Sequence, residues 1–270
     1  MAIDVVWFKR DLRIRDHAPL LAAASSGRSL LCLMLLEPTR MKQPDVDPIH
    51  LQWELDVAER LDRDLRRRGA ALHVVHADAV EAMSSLHEKH AVHTVHAHEE
   101  TGVKWSYDRD KAVASWCTEN GVEFVEHPNN GVIRRLQDRD GWKDARDARI
   151  AAPLLEAPFG LQGIPCEDPW PTLANAGLEA RVLQDRPEPG EVAALSLAHS
   201  FFEKRGEAYC WAMSGPVSAA LHASRLAPHL SVGSLSIRRV DAMAKARLDT
   251  LRSQRAAGAP VDGWIRSISA

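Results

Sequence analysis

The sequence carries none of the short strings that announce a ligand by themselves. Its four cysteines, Cys32, Cys117, Cys166 and Cys210, stand far apart with no CxxC pair. That spacing excludes a zinc knuckle and a disulfide framework and leaves them as reduced core residues. Neither GxGxxG nor GxxxxGKS/T follows the first apolar run, so the usual dinucleotide and P-loop fingerprints are missing. No segment is long and apolar enough to cross a bilayer, and the chain enters its first apolar run, Ile3 to Phe8, without a basic leader; a cytoplasmic protein is expected. Seven of the thirteen histidines fall between His73 and His98, and His96 and His98 share one strand face, yet no three or four ligands show converging spacing. No metal is therefore expected. Ser200 and Ser214 lack a nucleophile-elbow context, which argues against hydrolase chemistry.

Charge of one sign is also lacking, since 34 basic and 37 acidic side chains leave a net charge of -3. The balance is uneven along the chain. From Ser224 to Ala270 eight basic residues (Arg225, Arg238, Arg239, Lys245, Arg247, Arg252, Arg255, Arg266) face three acidic ones (Asp241, Asp249, Asp262), a section able to neutralise phosphate or simply to present a solvated helix face.

What is present is alternation. With 270 residues, 45% of them hydrophobic, the chain can bury a core for one large domain or two ordinary ones. Short β-like runs at Ile3 to Phe8, Leu30 to Leu36, Leu72 to His76, Val92 to His98 and Val122 to Glu126 are separated by helical stretches. The clearest helix is Ile49 to Arg68, where Leu51, Leu55, Ala58, Leu61 and Leu65 recur at three- and four-residue spacing and Gly69 stops the run. The others are placed around Pro19 to Ala24, Ala79 to His90 and Trp105 to Asn120. This order predicts an α/β fold with a Rossmann-like, doubly wound, parallel five-stranded sheet over residues 1–133. Residues 134–190 read as an interdomain linker because seven prolines from Pro153 to Pro189 break long helices and central strands. Residues 191–270 read as an incomplete all-α domain, with helices at Ser200 to Trp211, Pro216 to Ser224 and Ser236 to Arg255.

Three strings carry more specific content. The first, WFKRDLRIRDHAPL (Trp7 to Leu20), ends the first strand, turns through a charged run and enters a helix, with Asp16 as its cap and Pro19 in its first turn. The second, HEETGVKWSYDRD (His98 to Asp110), lies at the carboxyl end of the fourth strand, where open α/β sheets bind ligands. Glu99 and Glu100 there are either helix-entry charges or ligand contacts. The third, ASRLAPHLSVGSLS (Ala223 to Ser236), offers successive backbone N–H groups, a hydroxyl and an arginine, a combination suited to a diphosphate.

The first and third strings resemble the opening signature and the flavin-phosphate segment of the DNA photolyase/cryptochrome family. The resemblance implies FAD as cofactor, bound by Tyr209, Ala223, Ser224, Arg225, Leu226, Ala227 and Trp264, and an antenna chromophore of unidentified chemistry in the α/β half. Ala223 and Ala227 stand where hydroxyl residues are common in the family. Trp105 and Ser106 stand where folate-binding members carry an Asn-Glu pair, which argues against a folate antenna. The implied activity is blue-light-driven electron transfer from FAD to a pyrimidine dimer in damaged DNA, impaired here because the match stops partway through the family's flavin domain. Met213 and Ser267 also replace an arginine and an acid that meet DNA in photolyases. The resemblance assigns no catalytic residue. A complementing C-terminal chain, a blue-light photoreceptor, and a non-enzymatic nucleotide- or pigment-binding module are the competing expectations.

Overall fold

The computed structural model describes residues 2–181 and 183–269. Strand β1 (Ile3–Phe8) is buried at every position, on both faces, and therefore reads as an apolar run rather than an alternating one, broken by Asp4, whose carboxylate takes Arg28 Nε (2.8 Å). β2 (Ser29–Leu35) and β4 (Val92–His98) flank it, β3 (Leu72–Val75) and β5 (Glu123–His127) form the edges, and all four pairings are parallel in the order β3-β2-β1-β4-β5. Strand order reverses between β1 and β4, so the crevice beyond their carboxyl ends is the expected ligand position. The crossover helices are α1 (Ala18–Ser25), α2 (Pro38–Met41), α3 (Pro48–Arg66), α4 (Ala79–His90) and α5 (Lys104–Glu119). One core of the sheet packs Val6, Phe8 and Cys32 against Leu51, Leu61 and Leu65 of α3; the other packs Val5, Trp7 and Leu33 against α4 and α5. Cys32 and Cys117 are core residues as expected, but Cys166 and Cys210 are only half-buried, and all four are free thiols.

Past the sheet, residues 142–151 form a further helix, α6 (Trp142–Ala151), within the stretch read as linker. The proline-rich segment that follows does not merely run over the surface. Leu30 donates to the Gln162 carbonyl (2.9 Å), Ile164 to that of Leu30 (2.8 Å), and Ala157, Leu161 and Leu173 are buried in the α3-side core. Prolines there remove backbone donors, but apolar side chains between them still find the α3-side core. The helical unit contains α7 (Glu191–Ser200), which continues into a π turn at Phe201–Arg205, then α8 (Tyr209–Ala212), α9 (Ser218–His222), α10 (Ala227–Ser231), α11 (Ile237–Ala256) and α12 (Asp262–Ser269). Its own core is small: Ala194, Ala198, Phe201, Phe202, Leu226 and Leu235. No helix among the described residues is long and apolar enough to cross a membrane.

The opening string holds the two units together. Leu12 donates its N–H to the Val232 carbonyl (3.0 Å), Ile14 to the Glu191 carboxylate (3.0 Å), and the buried Arg13 donates from Nη1 to the Gly233 carbonyl (3.0 Å). Gly233 has φ +65°, and a Cβ there would overlap the Arg10 carbonyl and reach the Asp11 Cα. Only glycine allows this approach. Gly233→Ala is expected to lose about 2–5 kcal/mol from the left-handed backbone and the overlap together, measured by urea unfolding followed by tryptophan fluorescence.

Candidate functional site

Beyond β1, the charged run WFKRDLRIRD turns Asp11, Arg13 and Asp16 inward and leaves Arg10 exposed. Asp11 is buried and its Oδ2 accepts from two imidazoles, His17 Nε2 (3.0 Å) and His98 Nδ1 (2.6 Å), while its Oδ1 accepts the Lys9 N–H (2.7 Å). Burial alone would raise the Asp11 carboxyl, but His17 and His98 hold it well below the usual carboxylate range. Burial drives His98 down to about 3 and lowers His17, so both rings are neutral donors. His17, not Asp16, caps α1: its Nδ1 accepts the Leu20 N–H (3.1 Å). Asp16 instead sits at φ +51°, where its carboxylate takes Arg238 (3.2 Å) and the Ser236 hydroxyl. A carboxylate facing a guanidinium and a hydroxyl from the second unit gains more there than at a helix start.

Asp11, His17 and His98 are also the one group among the described residues with metal-ligand geometry. The cap decides the chemistry. With Nδ1 of His17 accepting from Leu20, its proton sits on Nε2 and points at Asp11, leaving no lone pair for a cation there. The trio is a hydrogen-bond hub joining β1, α1 and β4.

The third string lies against the first, which is why the two occur in register. Within it, Arg225 has φ +57° and donates to the Asp185 carbonyl (2.8 Å). It lies between two cavities of about 790 and 900 Å³ that share the segment from Gln184 to Pro187. The first is walled by Ile49 and Trp53 of α3, by Arg181, Arg186 and Leu183 of the linker, and by Ala227 and Pro228. The second is walled by α7, by Ala220 and Leu221 of α9, and by His229. Of the sequence-predicted flavin residues, Arg225 and Ala227 face this space. Leu226 is buried in the helical core, Tyr209 packs edge-to-face on Phe201 (5.5 Å), and Trp264 lies buried under the Arg247 guanidinium (5.0 Å). Ala223 and Ser224 give their carbonyls to Arg205.

Sequence reasoning missed Arg205, which clamps the loop from behind, and His229, whose Nδ1 meets Ser234 Oγ (3.0 Å) while its Nε2 is buried without a partner beside the second cavity. Burial holds His229 down at about 4. Neither residue belongs to a recognisable spacing; Arg205 reaches the loop because of the π turn, whose extra residue no periodicity announces. The basic last section is mostly spent on internal pairs: Lys245 with Asp241, Arg247 with Glu203, Arg252 with Asp249, Arg255 with Asp262 and Arg238 with Asp16. This favours the solvated-face reading over a free phosphate track.

The parallel βα half and the helical unit that follows it have counterparts among known proteins. The DNA photolyase family profile matches residues 4–151, more than half of the sequence. The chain belongs to the DNA photolyase family. It is 26% identical over 257 residues to cryptochrome DASH of Gloeobacter violaceus, covering 87% of this chain and 51% of that protein. It is also 24% identical to an uncharacterized 31.6 kDa protein of Synechococcus, covering 99% of this chain and 97% of that one. The crystal structure of a Synechocystis cryptochrome superposes with a TM-score of 0.77 at 20% identity, over 92% of this chain and 56% of that one, which establishes the shared fold. The chain thus spans about half the length of the cryptochrome that it matches in sequence.

Proposed function

We propose that this photolyase-family chain carries the antenna-type α/β half and the phosphate-binding edge of a blue-light flavoprotein. The observation that carries the reading is the contact of the two signature strings through Arg13, Val232 and Gly233, which holds Arg225 at the mouth of a cavity large enough for a dinucleotide end. The residues fit FAD at its diphosphate in part: Arg225 supplies a cation, and His229 Nε2 is an orphaned buried atom beside the same space, while the Ser224 hydroxyl lies outside it. They supply less than the family pattern, because Ala223 and Ala227 add no hydroxyl and Tyr209 and Trp264 are engaged in packing. Flavin, when bound, supplies blue absorption and one-electron transfer. The chain's own part is to orient the phosphates and, through Trp53, Pro228 and Ile49, to exclude water from one wall.

Repair of pyrimidine dimers in damaged DNA, in the cytoplasm, is the activity proposed for the complete scaffold. It is expected to be weak for these residues alone. Met213 is half-exposed and neutral, and Ser267 is turned inward, accepting the Cys210 N–H (3.2 Å) and donating to the Glu207 carbonyl (2.6 Å). A complementing helical polypeptide would meet the exposed apolar residues of the helical unit, Val217 and Leu221 among them.

The test is the absorption spectrum of the purified chain after reconstitution with FAD. Flavin bands that survive gel filtration, and a Kd for FAD raised about tenfold or more in Arg225→Ala, are expected, since a guanidinium–phosphate contact contributes about 1.5–3 kcal/mol. A chain that retains no flavin, or binds it equally well without Arg225, overturns the assignment. A dimer-repair assay under blue light then separates repair from sensing.

A further inference from the structure

Helix α7 does not stop at Ser200. It runs on through the π turn at Phe201–Arg205, and Gly206 closes the turn where a Cβ would lie 2.6 Å from the Phe201 carbonyl oxygen. The turn brings Arg205 to the loop that joins α9 to α10. Its Nη1 donates to the Ala223 carbonyl and its Nη2 to those of Ser224 (2.6 Å) and Leu197 (3.2 Å), while its own carbonyl accepts from His222 Nδ1 (3.0 Å). One guanidinium thus ties three carbonyls, and among the described residues it spends no hydrogen bond on a carboxylate. Arg225 likewise donates only to the Asp185 carbonyl (2.8 Å). The arginines of α11 differ, since Arg238 meets Asp16 (3.2 Å) and Arg247 meets Glu203 (3.0 Å).

A trans peptide points its N–H opposite to its carbonyl. With the Ala223 and Ser224 carbonyls fixed on Arg205, the N–H groups of Ser224 and Arg225 point the other way, and neither has an acceptor among the described residues. Arg225 holds φ +57°, a region that residues with a side chain seldom enter and that persists only where the surroundings enforce it. Two guanidinium groups without a carboxylate and two N–H groups without an acceptor therefore meet on one short loop. Such a backbone is complementary to an anion. Burial, and after it the like charge of Arg225, holds Arg205 below the usual guanidinium range, as expected where no carboxylate offsets the cation.

We propose that Arg205 is a positioning residue for a diphosphate: it turns the loop so that the Ser224 and Arg225 N–H groups and the Arg225 side chain are left for the anion. It acts from behind, being absent from the walls of both cavities that Arg225 lines. The inference rests on the flavin reading of the same loop and adds the group that gives the loop its shape. Lysine supplies the charge but not the planar fork that reaches three carbonyls at once, and glutamine supplies N–H donors but no charge.

The test is calorimetric titration of inorganic pyrophosphate into the unsubstituted chain, Arg205→Gln, Arg225→Ala and the double variant. Arg205→Gln is expected to weaken pyrophosphate roughly fivefold or more, but by only about twofold where Arg225 is already replaced, because groups that act through one another are not additive. An equal loss in both backgrounds, as a general structural clamp would give, or no loss in either, would overturn the proposal. Where Arg205→Gln does not fold, Arg205→Lys keeps the charge without the fork; weakened binding then supports the proposal, and unchanged affinity refutes it. FAD is titrated in parallel. An unsubstituted chain that binds pyrophosphate but not FAD sinks the flavin reading alone, and one that binds neither sinks both.

Discussion

Asp11→Ala is expected to cost about 3–5 kcal/mol of unfolding free energy, among the largest losses any single substitution here should cause. The carboxylate is buried, accepts from His17, His98 and the Lys9 backbone, and has no water to replace them. Its removal strands two imidazole N–H donors in an apolar setting and leaves the turn after β1 without its anchor. That turn also carries Arg13 and Leu12, the contacts to Gly233 and Val232, so the loss should extend to the helical unit. In guanidinium unfolding, the near-ultraviolet signal of Trp53, whose Nε1 donates to the Pro228 carbonyl (2.9 Å), should fall along with the α/β half. Asp11→Asn is the sharper control. An amide keeps the volume and one acceptor oxygen; with that oxygen toward the two imidazoles its NH₂ faces the Lys9 N–H, and it should lose about half as much. A stability within about 0.5 kcal/mol of the unsubstituted chain for Asp11→Ala would mean that the hub is ornamental.

That hub explains why the strings read as a family signature and yet hid their purpose in sequence. Periodicity exposed the sheet well, because buried parallel strands leave apolar runs: β1, β4 and α4 have the bounds their residues predict, and the other predicted elements of the α/β half differ by one or two positions. The helix expected at Ser200 to Trp211 is instead the end of α7, a π turn and α8, broken at Gly206. The site was less legible. Asp16 looked like a cap because Asp suits caps, but the competing Arg238 and Ser236 lie 220 or more residues away in sequence. The same holds for Asp11, whose partner His98 comes from a different strand, and for Arg109, whose three carboxylates come from the ends of two strands and its own helix. Short-range grammar sees neither. Charged residues at a strand end are read as solvated by default, and here the chain folds most of them inward because Lys9, Asp11, Arg13 and Asp16 find an opposite charge, a carbonyl or a ring, while Arg10 stays exposed.

The same inward chemistry makes stability depend on pH in a defined direction. Burial lowers His17 and His96, and carries His98 to about 3, His127 to about 4 and His229 to about 4. In the folded chain His98, His127 and His229 stay neutral until those values are approached, and His17 and His96 are shifted in the same direction, while in the unfolded chain all protonate below about 6.5. Between pH 6.5 and 4 the unfolded state therefore binds more protons, and unfolding free energy falls as pH falls. Glu37 and Glu191, raised by burial, act in the opposite sense once pH rises past their unfolded value, but two carboxyls stand against six imidazoles, the lowered His73 included. Each fully buried ring contributes up to about 1.4 kcal/mol per pH unit in that window, less for the half-buried His127. The chain should hold a plateau of stability above pH 7 and lose several kcal/mol by pH 5, well before its carboxylates protonate. Urea titrations at pH 7.5, 6.0 and 5.0 read this directly, and His98→Gln should flatten the slope, because an amide can still donate toward Asp11 and takes no proton. A midpoint that does not move between pH 7.5 and 5.0 would show that the buried imidazoles are charged in the native state or solvated.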